Sequence, residues 1–111
     1  MKPRDFLGMK EFNVLCEGNN LDREISVPYC CDLLSVAMAN MPAGAAWVTV
    51  MANVNTLAVA TLTDAACIIL AGGVSLDELG QKKVTEQGIT VFKTELPIFE
   101  AALLVHKHLN G

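Results

Sequence analysis

Ala66-Cys67-Ile68-Ile69-Leu70-Ala71-Gly72-Gly73-Val74-Ser75 is the stretch that decides the fold. From Ala66 to Leu70 the run is apolar at every position and then stops on a glycine pair. Such a run, bounded by turn residues, reads as a strand buried on both faces, as in parallel sheets covered by helices. Behind it, Leu76–Glu86 reads as a helix, with Ser75 and Glu78 at capping-box spacing and Gly88 as its stop. The same order recurs on both sides. Upstream, Ala46–Met51 reads as a strand, Asn53 and Asn55 as a turn, and Thr56–Leu62 as a short helix. Downstream, Ile89–Lys93 reads as a strand, Thr94 as a cap and Leu96–Leu109 as the last helix. Pro97 falls in the first turn of that helix, where a missing N–H costs little. Strand, turn and helix in this order imply right-handed crossovers, a mainly parallel sheet and the α/β class.

The first half is less regular. Residues 1–11 offer a short helix with a weak apolar face of Phe6, Leu7 and Met9. Phe12–Cys16 follows as a strand and Glu17-Gly18-Asn19-Asn20 as a turn cluster. Glu24–Cys30 is extended, and Pro28 suits it to a sheet edge. Asp32 is placed to N-cap a helix over Leu33–Met38, closed by Asn40 and Pro42. No linker or repeat divides the chain, so residues 1–111 read as a single domain.

Composition narrows the partners. With 8 Lys and Arg against 12 Asp and Glu, the net charge is −4, which argues against nucleic acid. A hydrophobic content of 52% excludes intrinsic disorder. No apolar segment follows Met1-Lys2-Pro3-Arg4-Asp5, so no secretory signal is visible and a cytoplasmic setting is expected. The window Ala43–Leu62 is long enough to span a membrane, yet Thr49, Asn53, Asn55, Thr56 and Thr61 interrupt it. It reads better as a strand and a helix, with no membrane contact.

The ends of parallel strands are where ligands usually sit in such sheets, and here they carry Asn53, Asn55, Gly72, Gly73, Thr94 and Glu95. These are tentative contacts for a polar small molecule, although the same residue types serve turns and caps. No phosphate-loop or dinucleotide glycine pattern is present, so autonomous kinase chemistry is not expected. Cysteines 16, 30, 31 and 67 show no metal-ligand spacing, and Cys30 and Cys31 point to opposite faces of an extended segment. No metal and no cofactor are expected. His106 continues an apolar stripe of Leu96, Phe99 and Leu103, while His108 points elsewhere; neither has an evident role in catalysis.

In order along the chain, Leu21-Asp22-Arg23-Glu24, Cys31-Asp32-Leu33-Leu34-Ser35, Trp47-Val48-Thr49-Val50, Asn53-Val54-Asn55 and Ala58-Val59-Ala60 carry a family resemblance. Ile68-Ile69-Leu70, Gly72-Gly73, Gly88-Ile89 and Thr94-Glu95-Leu96 continue it. Together they resemble the DRTGG domain over nearly the whole chain, Asp22-Arg23 and Gly72-Gly73 standing for letters of its name. The resemblance implies an α/β fold like the N-terminal domain of HPr kinase. It is also similar to inserts in phosphotransacetylases and CBS-domain pyrophosphatases, which look regulatory or dimer-forming. Free-standing copies occur in anaerobes, some near iron-only hydrogenase genes.

The expectation is a non-enzymatic regulatory or scaffolding domain that forms a homodimer and binds a protein partner, with Asp22, Arg23, Tyr29 and Asp32 at the interface. The rivals are a sensor of a nucleotide or acyl phosphate, and an accessory protein of an iron-only hydrogenase system using Cys30 and Cys31.

Overall fold

A computed structural model describes all 111 residues. A 3-10 helix, Pro3–Gly8, leads into β1 (Phe12–Cys16), β2 (Pro28–Cys30) and α1 (Leu34–Asn40). Three strand–helix units follow: β3 (Ala46–Thr49) with α2 (Val54–Leu62), β4 (Cys67–Leu70) with α3 (Glu78–Gln87), and β5 (Val91–Thr94) with α4 (Ile98–Asn110). The strands form one sheet in the order β1-β5-β4-β3-β2. Neighbours from β2 to β5 run parallel, and β1 joins β5 antiparallel. The α/β expectation is met, with Pro28 on an edge strand as read from the sequence.

Side-chain alternation splits the core in two. Val48, Cys67, Ile69 and Phe92 face the 3-10 helix and α4, where Phe6, Ala101 and Val105 are buried. Trp47, Ile68, Leu70 and Val91 face α1, α2 and α3 through Ala37, Leu57, Ala60 and Val84. Burial on both faces is why β3 and β4 read as unbroken apolar runs. The fully buried Trp47 keeps its indole N–H satisfied by donating to the Cys31 carbonyl at 3.0 Å. Phe6 stacks against Phe12 and Phe92, so the start of the chain is core rather than a weakly apolar overhang.

The span once weighed for a membrane holds β3 and α2, and no helix is long and apolar enough to cross one.

Several local expectations shift. Asp32 does not cap α1, whose N-cap is Leu33; its carboxylate reaches across to β3 instead. The Ser75–Glu78 capping box does not form. The cap of α3 is Asp77, which accepts from the Gly80 amide at 2.7 Å. Leu76 packs into the core and onto Gly80, which holds the chain out of the helix for two further residues. Thr94 ends β5 rather than capping α4, whose N-cap is Pro97.

The α4 stripe also turns out differently. Ala101 and Val105 are its buried positions, whereas Phe99 is 69% exposed and His106 is exposed. The 3.6-residue period allows two faces along this helix, and the sheet takes the one with the smaller side chains.

Because β1 and β2 lie on opposite edges, the segment between them must cross the whole sheet. Residues 17–27 do so along the amino ends of β5, β4 and β3. The Asn19 amide donates to the Gly88 carbonyl at 2.8 Å, the Asn20 amide to Thr90 Oγ1 at 3.2 Å, and the Ser26 amide to the Gly44 carbonyl at 2.8 Å. This strap closes one edge of the sheet and leaves the carboxyl edge to the turns before the helices.

Candidate functional site

The carboxyl edge collects most of the residues singled out from the sequence. The Gly72-Gly73 turn leaves β4 with φ of 67° and 80°, a conformation other residues seldom adopt. It is stitched to β5: the Gly72 amide donates to the Leu96 carbonyl at 2.8 Å and the Gly73 amide to the Thr94 carbonyl at 2.9 Å. The Glu95 carboxylate lies so close that a Cβ on Gly73 would meet its Oε2 at 2.5 Å. Gly72, Gly73, Thr94 and Glu95 thus form one cluster.

Asn53 and Asn55 stand at the end of β3 in a separate role. Asn53 is the N-cap of α2, and its Oδ1 accepts from the Asn55 amide at 2.9 Å and the Thr56 amide at 3.2 Å. Asn55 is exposed in the first turn. Asp32, expected at a partner interface, lies at this edge. Its Oδ1 accepts from the buried Thr49 hydroxyl at 2.6 Å and the Val50 amide at 3.0 Å, tying β2 to β3.

The electrostatics of this edge oppose an anion. The helix N-termini point here, yet side chains of the same chain take up several of the donors: Asn53 at α2, Asp77 at α3, and Thr94 Oγ1, which accepts from the Leu96 amide at 3.2 Å. The carboxylates of Asp32, Asp77 and Glu95 add negative charge. Around them Leu33 and Leu79 are 59% and 54% exposed.

The remaining interface residues lie elsewhere. Asp22 accepts from Arg4 at 2.8 and 3.0 Å, and Arg23 forms a two-bonded pair with Asp64 at 2.9 and 2.8 Å. Each guanidinium holds its carboxyl below the usual aspartate value. Asp22 and Arg23 therefore do not pair with each other; they fasten the strap to the body. Tyr29 is half-buried on β2, and desolvation followed by the Cys31 thiol raises its phenol.

The thiols do not gather. Cys31 donates to the Leu33 carbonyl at 3.2 Å, while Cys30 is exposed. Desolvation and then the Asp32 charge raise the Cys30 thiol, so it is a poorer nucleophile than a free cysteine. Burial pushes Cys67 up to about 12, which makes it a packing residue. No three His, Cys, Asp or Glu side chains come together as metal ligands.

Two features escaped the sequence reading. Along the flank of α4, between the helix and Glu11, the residues Glu11, Leu96, Glu100, Leu103, Leu104 and Lys107 line a groove of about 200 Å³. At the amino edge, Asn19, Asn20, Thr61, Asp64, Gln87 and Thr90 help to line a cleft of about 190 Å³. The groove is hidden in the sequence because the stripe of Leu96, Phe99 and Leu103 carries no sign of which part of it meets the sheet. The cleft was hidden because its residues are far apart in sequence and each passes singly for a turn or surface residue.

No protein family matches the chain at the level of sequence, and no curated protein does.

Proposed function

We propose that the chain is a non-enzymatic regulatory or scaffolding domain of the cytoplasm that works as a homodimer joined through α4. The observation that carries this reading is the unused apolar stripe of α4. Phe99 is 69% exposed and Leu103, one turn on, only half-buried, whereas Ala101 and Val105 pack on the sheet and Leu96, ahead of the helix, is partly buried against the core. A lone exposed apolar side chain is ordinary, but a stripe bordering an apolar groove marks an interface.

The charges favour a second copy as the occupant. Two α4 helices packed antiparallel about a two-fold between Leu103 and Leu104 place Glu100 of one copy opposite Lys107 of the other. Leu103 then faces Leu104, and each pairing occurs twice, as a self-complementary interface requires. Edge-to-edge pairing of sheets is the weaker route. The register of β1 slips between Val14 and Cys16, and β2 is three residues long with a proline.

The sensor reading fares worse at the carboxyl edge, because a nucleotide or acyl phosphate would meet Asp32, Asp77 and Glu95 and would compete with built-in caps. A hydrogenase accessory role through Cys30 and Cys31 is likewise the weaker reading, since the two thiols have different surroundings.

Sedimentation of the wild type and of two variant sets tests the dimer. The wild type is expected to be dimeric and Phe99→Glu monomeric, with an unfolding free energy within about 0.5 kcal/mol of the wild type. Glu100→Lys alone weakens association, and adding Lys107→Glu restores it. A wild type that stays monomeric at high concentration sinks the proposal. A double variant that fails to recover excludes this register.

A further inference from the structure

The amino-edge cleft is bounded by several polar side chains, and it lies away from both the α4 groove and the carboxyl edge. Its strap wall is preformed. The Asn19 amide is held by the Gly88 carbonyl at 2.8 Å, and Asn20 is held through its amide by Thr90 and through Nδ2 by the Ala65 carbonyl at 3.4 Å. Gly18 lets the strap approach this closely, for a Cβ there would meet the Gly88 carbonyl oxygen at 2.5 Å. A ligand entering the cleft would therefore not have to order it first.

The charge of the cleft selects against anions. Thr61 and Asp64 mark the end of α2, and Gln87 and Gly88 the end of α3, so two helix C-termini turn their partial negative charge toward it. No lysine or arginine lines it, and the nearby Arg23 guanidinium is committed to Asp64 through two bonds. Its polar wall consists largely of carboxamides, from Asn19, Asn20 and Gln87. A carboxamide carries a donor and an acceptor side by side, the pattern that reads an amide or amidine edge; Asn20 spends one N–H on the Ala65 carbonyl and keeps its oxygen. Ala60, Ala65 and Ile89 supply an apolar surface for a flat ring.

Size completes the selection. A volume of about 190 Å³ matches roughly six waters and is smaller than the ~300–1,000 Å³ of sites for drug-sized ligands. A single heterocycle fits within it, and the phosphate of a nucleotide would meet Asp64 and the two helix ends.

We propose that the amino-edge cleft binds a small, planar, uncharged or cationic amide-bearing heterocycle of nucleobase size, held by Asn19, Asn20 and Gln87. The site is independent of the α4 interface.

Amide chemical-shift titration of the whole chain with free adenine, free cytosine and adenosine 5′-monophosphate tests this. At least one free base is expected to shift Asn19, Asn20, Asp64, Gly88 and Thr90 saturably, with the monophosphate at least about tenfold weaker. Gln87→Ala, an exposed change at a helix end, should weaken base binding about tenfold at an unchanged melting temperature. Asn19→Ala provides a second check. Binding should persist in monomeric Phe99→Glu, which separates this site from the dimer. The proposal is overturned if neither base moves these amides up to its solubility limit, if the monophosphate binds equally well, or if the shifts fall on the carboxyl edge.

Discussion

The carboxyl edge and the amino edge bound the same parallel strands, yet they are assembled by opposite means. At the carboxyl edge each strand passes directly into a tight turn and a helix, and the polar groups there serve their own turn: Asn53 its helix, Asp77 its helix, Thr94 its turn. At the amino edge the strand starts are crossed by residues 17–27, whose contacts reach as far as Gly88 and Thr90. Caps and bonds between neighbouring turns, such as Gly72 to Leu96 and Asp32 to Thr49, fill the first edge, whereas the crossing segment leaves a cleft at the second. A ligand-binding concavity in an α/β sheet therefore need not follow the helix N-termini. It follows whichever edge the chain has to bridge from a distance.

The largest effect that would separate the edges is a matched pair of glycine replacements. Gly18→Ala at the amino edge combines a φ of 59° with backbone atoms of Gly88, Ile89 and Thr90 within 2.6 Å of the new Cβ. It should cost about 3 kcal/mol or more. Gly72→Ala at the carboxyl edge has a φ of 67° but meets only Val50 Cγ1 at 3.8 Å, so about 1 kcal/mol is expected. Urea midpoints decide this, and equal losses would dissolve the contrast between a bridged and a locally built edge.

Asp32→Ala comes next and tests the carboxyl edge alone. It leaves the Thr49 hydroxyl, on a residue with no exposure, accepting from the Met51 amide but with its own proton unpaired, and frees the Val50 amide. A loss of about 2 kcal/mol should follow, because a buried polar group without a partner bears its full desolvation cost. A loss below about 0.5 kcal/mol would mean that β2 is held by its ladder and Trp47 alone.

The smallest effect belongs to the strap's exposed ion pairs. Arg23 and Asp64 side chains are 34% and 61% exposed, so Arg23→Ala should cost less than about 1 kcal/mol at neutral pH. Arg23 lowers the Asp64 carboxyl below its ordinary 3.8, so the stabilisation is fully present above that value. It is lost as the pH falls through the lower folded-state value. Wild-type and variant stabilities should accordingly converge in acid, and a gap that persists there would assign the effect of Arg23 to packing rather than charge.

Legibility of the fold followed the range of the forces involved. Ala66–Leu70, Ala46–Thr49 and the order of strand and helix could be read directly, because burial on both faces demands unbroken apolar runs. Helix starts moved by two residues, from Leu76 to Glu78 and from Leu96 to Ile98, where packing of Leu76 and stitching of Gly72 to Leu96 outweighed the nearest capping residue. Asn53, Asn55, Gly72, Gly73, Thr94 and Glu95 all lie at the carboxyl edge, because strand order and turn position place them there. Only the tertiary stitching of Gly72 and Gly73 to Leu96 and Thr94 makes a cluster of the last four. Asp32 reads from sequence as the N-cap of α1 and is not, because its partners Thr49 and Val50 are brought to it only by the pairing of β2 with β3.

By itself, then, the sequence determined the α/β class, the strands, the acidic charge and the position of the turns, all set by neighbours a few residues apart. The tertiary structure alone decided which stripe of α4 met the sheet, that Asp22 and Arg23 found separate partners, and that a cleft opened beside Asn19 and Gln87. Each of these depends on residues brought together from distant parts of the chain, and local periodicity carries no term for them.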